Sequence, residues 1–360
     1  MSKIFNILDL FCGCGGLSCG LDQVEGFTTQ VALDFEPKAI ETFKRNFSQT
    51  YCICGDICDE SIKQEIVRVS KERQVNMIVG GPPCQGFSLK GKKLGLNDPR
   101  NFLFMEYVNL VERIRPEVFV IENVKAMVST ENNYFINQIY EQFEKIGYKL
   151  NHAILKASDF GVPQTRERTI IIGHLGERIK TMPLRICDIP VTVREAISDL
   201  AYLNSGEGDF ESNYKRPAMS EYQQMLRKGS LRLFNHQATA HSKVAIEKLM
   251  MIPAEGDKSS LPKELHGKQK FNTTWGRLLW NQPSPTIDTR FDTPSNGRNS
   301  HPELHRSITP REAARIQSFP DTFVFYGNKT AICKQIGNAV PPLLAKAIGE
   351  HIKNNFGENE

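Results

Sequence analysis

Seven short apolar runs fill the first 175 residues of this 360-residue chain, and their spacing leaves few folds open. They lie at Ile4–Leu10, Thr29–Asp34, Tyr51–Ile53, Met77–Val79, Val118–Ile121, Leu150–Leu155 and Thr169–Ile172. Helical patterns such as Glu60–Arg73 and Phe102–Ile114 separate most of them, and Pro37 marks another helix start. Strand–helix alternation of this kind predicts an α/β fold with a doubly wound, mostly parallel sheet covered on both faces. Such sheets bind ligands beyond the carboxyl ends of their strands.

The character changes after about Pro183, where periodicity weakens and Gly, Pro, Ser and Asn rise. From Lys215 to Arg306 there are 15 Lys and Arg against 8 Asp and Glu, a local charge of +7 in a chain whose net charge is only +4. Phosphate binding accounts for such a surplus if the charges share a face; a solvated, loop-rich surface accounts for it if they do not. The predicted layout is an α/β domain over residues 1–183, a smaller, irregular basic domain over 184–326, and a segment over 327–360 that returns to the first. No run approaches the roughly 18 apolar residues of a membrane span, and Met1–Phe5 leads into a strand without a basic-then-apolar leader. A membrane or exported protein is therefore not expected. Nine cysteines make a closed disulfide framework improbable. The clusters Cys12, Cys14, Cys19 and Cys52, Cys54, Cys58 lack the partners and spacing of a zinc site. Reduced thiols in a cytoplasmic protein, and no metal, are the expectation.

The chemistry-bearing residues fall where the strands end. Asp9-Leu10-Phe11-Cys12-Gly13-Cys14-Gly15-Gly16-Leu17 is a strand end, a glycine turn and a helix start, suited to close approach of a nucleotide. Ser18 stands where a dinucleotide fingerprint needs its last glycine, which weakens a nicotinamide-dependent oxidoreductase. Asp34 and Asp56 close the next two strands, placed for a ribose and an adenine amino group, and Phe35 offers a stacking face. Gly80-Gly81-Pro82-Pro83-Cys84-Gln85-Gly86-Phe87-Ser88 mounts a cysteine stiffly at the end of the fourth strand, a sensible place for a nucleophile. Glu122, closing the apolar run before Asn123, could be desolvated enough to hold a proton at neutral pH. Arg166 and Arg168 alternate onto one face if their stretch is extended, so both could reach one ligand. Asn338, before Pro341-Pro342, is placed at the start of the last helix.

In order and spacing, these segments resemble the bacterial DNA (cytosine-5)-methyltransferase family. The likeness rests on Asp9–Gly16, Gly81–Ser88, Glu122–Val124, Gln164–Arg168, Ile308–Pro320 and Gln335–Pro342, and covers nearly the whole chain except roughly residues 204–272. It implies the S-adenosylmethionine-dependent methyltransferase fold, S-adenosylmethionine as methyl donor with S-adenosylhomocysteine as product, and duplex DNA as substrate. It implies Phe11, Gly13, Gly15, Gly16, Leu17, Asp34, Phe35, Asp56, Ile57, Pro83, Leu103 and Asn338 at the cofactor. It implies Cys84 as nucleophile, Glu122 as the acid on the base, and Arg166 with Arg168 as the guanidinium pair. Ser88–Pro99 matches a mobile loop that closes on DNA, with Ser88, Lys90, Lys92 and Lys93 meeting phosphates. The basic domain becomes a target-recognition domain, in which Asn235-His236 and Thr273–Leu278 resemble family segments. Arg277, Arg290, Arg298 and Arg306 are its candidate DNA contacts.

A monomer, acting alongside a restriction endonuclease without a stable complex, fits this picture. Two further readings share much of it. A transfer-RNA cytosine methyltransferase keeps the fold, but Gly86-Phe87-Ser88 and the long basic insert favour DNA. A DNA-binding homologue without catalysis is disfavoured because Cys84, Glu122, Arg166, Arg168 and the glycine loop are all present.

Overall fold

The computed structural model of the chain describes residues 3–83, 102–129, 134–176, 180–266 and 273–356. It divides into two units, one made of residues 1–156, 167–185 and 342–360, the other of residues 157–166 and 186–341. The return to the first unit thus comes at Pro342 rather than at residue 327, and residues 157–166 belong to the second unit.

The first unit is built on a seven-stranded sheet. Its strands are β1 (Phe5–Leu10), β2 (Phe27–Asp34), β3 (Tyr51–Cys54), β4 (Met77–Gly80), β5 (Val118–Val124), β6 (Tyr148–Lys156) and β7 (Glu167–Leu175). The seven apolar runs of the sequence are these seven strands. Their order is β3-β2-β1-β4-β5-β7-β6. The first five in that order pair in parallel, as the strand–helix alternation predicts. The chain starts in the middle of the sheet, winds to one edge, then crosses to the other side of β1. The strand order therefore reverses between β1 and β4, which opens a crevice at their carboxyl ends.

β7 runs against its neighbours β5 and β6. That reversal has a chemical consequence: the beginning of β7, not its end, lies at the carboxyl ends of the parallel strands. Arg168 is registered opposite Val124 and Ile170 opposite Glu122, so Arg168 and Glu122 are diagonal neighbours on one face. Beneath them is a core of Leu8, Val31, Ile78, Tyr107, Phe119, Ile121 and Phe143, with the rings of Phe119 and Phe143 stacked at 4.2 Å.

In the second unit, β8 (Gly208–Ser212) and β9 (Leu233–Gln237) form an antiparallel pair among short helices. Its interior is unusual in being held by arginine. Arg166, Arg277, Arg306, Arg311 and Arg315 are among the largest fully buried side chains of the described residues, and all five lie in this unit. Arg315 is the hub, reaching Asp321 at 2.9 and 2.6 Å and Asp199 at 2.7 and 2.9 Å. Arg227 pairs with the same Asp199, and Tyr214 donates to Asp321 at 2.8 Å. Buried charges are costly unless paired, and here each arginine of the network meets a carboxylate. A short helix spans Pro310–Ile316. Thr309 and Glu312 form its capping box, and the Arg306 guanidinium grips Glu312 at 2.7 Å through both nitrogens.

Candidate active site

The loop after β1 holds a sharp turn because its backbone takes left-handed conformations, with φ of +59° at Phe11 and +98° at Gly15. A side chain at Gly15 would also strike the Phe47 ring at 2.6 Å, so only glycine fits. Gly13 is different: the space where a Cβ would stand has no atom within 4 Å. Asp34, at the end of β2, fastens the loop by accepting from the Gly13 amide at 2.8 Å and from the Glu36 amide at 2.9 Å. Two bonds leave the carboxylate with lone pairs for further donors, such as ribose hydroxyls. Burial raises the Asp34 carboxyl above its ordinary range, against those two amide bonds.

Beside the buried Asp34, the Phe35 side chain is 72% exposed, an unusual setting for a phenyl ring unless something stacks on it. Asp56, beyond β3, is exposed and accepts the Cys58 amide at 2.9 Å, with Ile57 buried next to it. Gly16 and Leu17 are buried in the first turn of the helix Gly16–Leu21, while Leu103 is half-buried at the start of the helix Phe102–Ile114. An open hollow at a glycine loop, an exposed aromatic ring and two strand-end carboxylates fit an adenosine moiety. Within the first unit, then, the predicted cofactor residues gather at the carboxyl edge of the sheet.

The reacting end is assembled from β4, β5 and β7. Glu122 Oε1 lies 2.7 Å from Arg168 Nε, and both side chains are largely buried. The residue after β4 passes so close that a Cβ at Gly81 would stand 3.1 Å from Glu122 Oε2. Asn123, the residue after Glu122, donates from its buried Nδ2 to the Pro82 carbonyl at 2.8 Å. Its own Oδ1 accepts the Val124 amide at 2.9 Å. Gly81-Pro82-Pro83 is thereby pinned against the end of β5, with Pro83 half-buried. Cys84 follows directly, and it lies outside the described residues, as do Ser88, Lys90, Lys92 and Lys93.

Several expectations need correcting. Arg166 does not share a face with Arg168. Residues 164–166 precede β7, and the Arg166 guanidinium is buried on the carbonyls of Ile287 and Gly337, both at 2.7 Å, and on Gln164 at 3.1 Å. It braces the second unit. Arg277, expected on DNA, is also buried; it donates to the carbonyls of Leu249, Ile252, His301 and Leu304 and contacts His305 Nδ1. Those contacts occupy its donors, so none is left for phosphate or base. Arg306 is spent in the same way on Glu312 and the Leu203 carbonyl. Arg298 is half-committed, to the Arg277 carbonyl at 2.7 Å and to Asp257 at 3.4 Å. Of the candidates, Arg290 keeps an exposed guanidinium, with Asp292 at 3.9 Å. Asn338 does not open the last helix: it is the exposed end of the helix Lys329–Asn338, and the final helix starts at Pro342.

Asn235 and His236 are framework too. The Asn235 amide brackets Phe325, donating to its carbonyl and accepting from its amide, both at 2.9 Å. His236 Nδ1 meets Thr309 Oγ1 at 3.0 Å. What sequence reasoning missed is Asn123. Its signal was a polar residue interrupting an apolar strand, next to the carboxylate that drew attention. Among the described residues, no group of three or more His, Cys, Asp or Glu comes together as a metal site, the cysteines are free thiols, and no helix is long and apolar enough to cross a membrane.

Comparison with known proteins covers the whole arrangement. The family model described as C-5 cytosine-specific DNA methylase matches residues 5–354. The chain is 36% identical over 379 residues to the Type II methyltransferase M.DdeI of Desulfomicrobium norvegicum, spanning 98% of this chain and 89% of that one. It is 36% identical over 354 residues to M1.HphI of Haemophilus parahaemolyticus, covering 98% and 87% of the two. Among solved structures, one described as an E. coli prophage-encoded DNA modification methyltransferase superposes with a TM-score of 0.78 at 26% identity, over 98% of this chain and all of that one. The Dnmt2 methyltransferase of S. pombe shares the fold, with a TM-score of 0.59 at 16% identity over 98% of this chain.

Proposed function

The chain belongs to the C-5 cytosine-specific DNA methylases, enzymes that move a methyl group from S-adenosylmethionine to carbon 5 of a cytosine in DNA, and from that premise we propose how its own residues divide the work. The glycine loop, Asp34, Phe35, Asp56, Ile57 and Leu103 hold the cofactor, with Pro83 completing its site. S-adenosylmethionine supplies an electrophilic methyl group on a sulfonium.

Carbon 5 of cytosine is too weakly nucleophilic to be methylated unaided, so the base must be activated first. The Cys84 thiolate adds to carbon 6, giving an enamine whose electron density rests on carbon 5. Glu122 engages ring nitrogen 3 and offsets the charge that develops on the ring. Arg168 holds the oxygen on carbon 2. Loss of the carbon 5 proton after methylation restores the double bond and expels Cys84. The observation that carries this division is the 2.7 Å contact between Glu122 and Arg168, one acid and one cation presented side by side at the end of β5. A base edge carrying a ring nitrogen next to a carbonyl is complementary to that pair.

A cytosine inside a duplex cannot reach such a site, so the base is flipped out at a cost of a few kcal/mol, offset by protein–DNA contacts. Arg290 and the Ser88–Lys93 segment, with Ser88, Lys90, Lys92 and Lys93, are the candidates for those contacts; Arg298 contributes only what its ties to Arg277 and Asp257 leave. The chain acts in the cytoplasm as a monomer, without a metal and alongside a restriction endonuclease to which it is not stably bound. Of this setting, the Type II methyltransferase relatives support the restriction–modification context.

Duplex DNA carrying 5-fluorocytosine tests the reading. Fluorine cannot leave as a proton does, so with S-adenosylmethionine present the protein is expected to remain on the DNA after denaturation, with the adduct mapping to Cys84. An adduct on another residue, or none on a pool of varied sequences, overturns the assignment.

A further inference from the structure

Asp9 is a buried carboxylate beneath the glycine loop that the mechanism leaves unused, and its surroundings are inconsistent with an ordinary ionised aspartate. It is the penultimate residue of β1 and wholly buried. Oδ2 lies 2.7 Å from Ser18 Oγ, in the helix Gly16–Leu21 that the glycine loop opens. Oδ1 is buried and has no hydrogen-bond partner among the described residues. A charged carboxylate with one oxygen buried and unsatisfied is costly, whereas a neutral acid leaves only a weak carbonyl-like acceptor without a partner.

We infer that Asp9 is a positioning residue for the cofactor loop, acting through Ser18 and doing so as the neutral acid. The proton sits on Oδ2 and is shared with Ser18 Oγ, tying the end of β1 to the helix whose first residues close the loop. On the other side the loop hangs from Asp34 through the Gly13 amide. Ionising Asp9 places an unsatisfied charge under this turn. The charged neighbours that act on Asp9 are Asp34 at the end of β2 and Asp22 after the helix, both acidic and both opposing its ionisation, while the nearby Cys12 thiol and Tyr107 hydroxyl are themselves held neutral by burial. Burial is the main cause that lifts the Asp9 carboxyl to about 7. The proton is therefore held below neutrality and released above it.

The inference rests on the glycine loop being the cofactor site, and its test separates the two. Binding of S-adenosylmethionine to the full chain is measured by calorimetry from pH 6 to pH 8.5 for the wild type, Asp9→Asn and Ser18→Ala. Wild-type affinity is expected to hold up to about pH 7 and then weaken, by at most roughly tenfold per pH unit. Asp9→Asn, a neutral isostere, is expected to keep the low-pH affinity and lose the pH dependence; Ser18→Ala is expected to bind more weakly at every pH. A flat wild-type profile overturns the inference, and so does an Asp9→Asn protein that is already impaired at pH 6. If the wild type binds no cofactor at any pH, the cofactor reading itself fails. The unfolding midpoint of the unliganded protein then decides the proton: Asp9→Asn should gain on the wild type between about pH 4 and pH 7, and parallel curves would overturn it.

Discussion

The Asn123 side-chain amide donates a 2.8 Å hydrogen bond to the carbonyl of Pro82, two residues before Cys84. One side chain of β5 thereby fixes the approach to the proposed nucleophile, while its neighbour Glu122, the proposed acid, meets Arg168 at 2.7 Å. The proposed acid and the tether that precedes the proposed nucleophile are consecutive residues, so an error in one strand would disturb both.

Replacing Asn123 by alanine removes this tether and leaves the Pro82 carbonyl without its donor. Positioning errors of about 1 Å cost on the order of 100-fold in rate. Asn123→Ala should therefore lose roughly 10- to 100-fold in kcat with cofactor affinity almost unchanged. Single-turnover methylation and calorimetry check it, and a parallel loss of cofactor binding would point to a general collapse of the strand end.

Glu122→Gln keeps the shape of the side chain and cannot supply an ionisable carboxyl to ring nitrogen 3. The methyl-transfer step should slow by roughly 10²–10⁴-fold, with DNA affinity changing far less. Equal losses in both would reduce Glu122 to a structural partner of Arg168. Cys84→Ser should abolish turnover while leaving DNA and cofactor binding measurable.

Arg277 and Arg290 should separate cleanly. Arg277→Ala strips five contacts from the interior of the second unit and should lower the unfolding midpoint, by about 3–5 kcal/mol of stability. Arg290→Ala should leave that midpoint alone and reduce the salt dependence of DNA binding by about one unit of slope. Titrations at several salt concentrations, paired with denaturant unfolding, distinguish them. A salt slope altered by a folded Arg277 variant would restore Arg277 as a DNA contact.

The second unit should be acid-sensitive. Burial, with Arg306, Arg311 and Arg315 around His236 and with Arg306 and Arg277 around His301, pushes both imidazoles well below 6.5. Both are neutral when folded and gain protons more readily when unfolded. Their stability contribution is therefore complete above about pH 6.5 and is lost as the pH falls, by up to about 1.4 kcal/mol per pH unit for each. Denaturant unfolding between pH 7.5 and pH 5 checks this, and a flat profile would be the contrary result.

Much of this molecule is legible from residues alone, for a local reason. Strand positions follow from apolar runs, because a strand buried on both faces has no use for polar side chains. The turn at Gly13–Gly16 follows from backbone conformations that side chains disfavour. Asp34, Phe35 and Asp56 could be placed at strand ends because each run stops beside them. The motifs carried the family for the same reason: they are short contiguous segments whose chemistry does not depend on what lies across the sheet.

Strand direction and burial of charge are not local. Nothing in Thr169–Ile172 announces that β7 runs backwards, yet only that reversal brings Arg168 from the start of its strand to Glu122 at the end of another. The +7 surplus between Lys215 and Arg306 reads as a surface until the fold shows Arg277 and Arg306 buried within it. Composition counts charges without saying which ones face water. An arginine's partners are carbonyls and carboxylates far away in sequence, such as Leu203 for Arg306, or Asp199 for Arg315. The sequence alone determined the strands, the glycine turn and the reaction; only tertiary structure decided which arginines are free to meet DNA, because a guanidinium commits its donors to groups that chain order does not bring together.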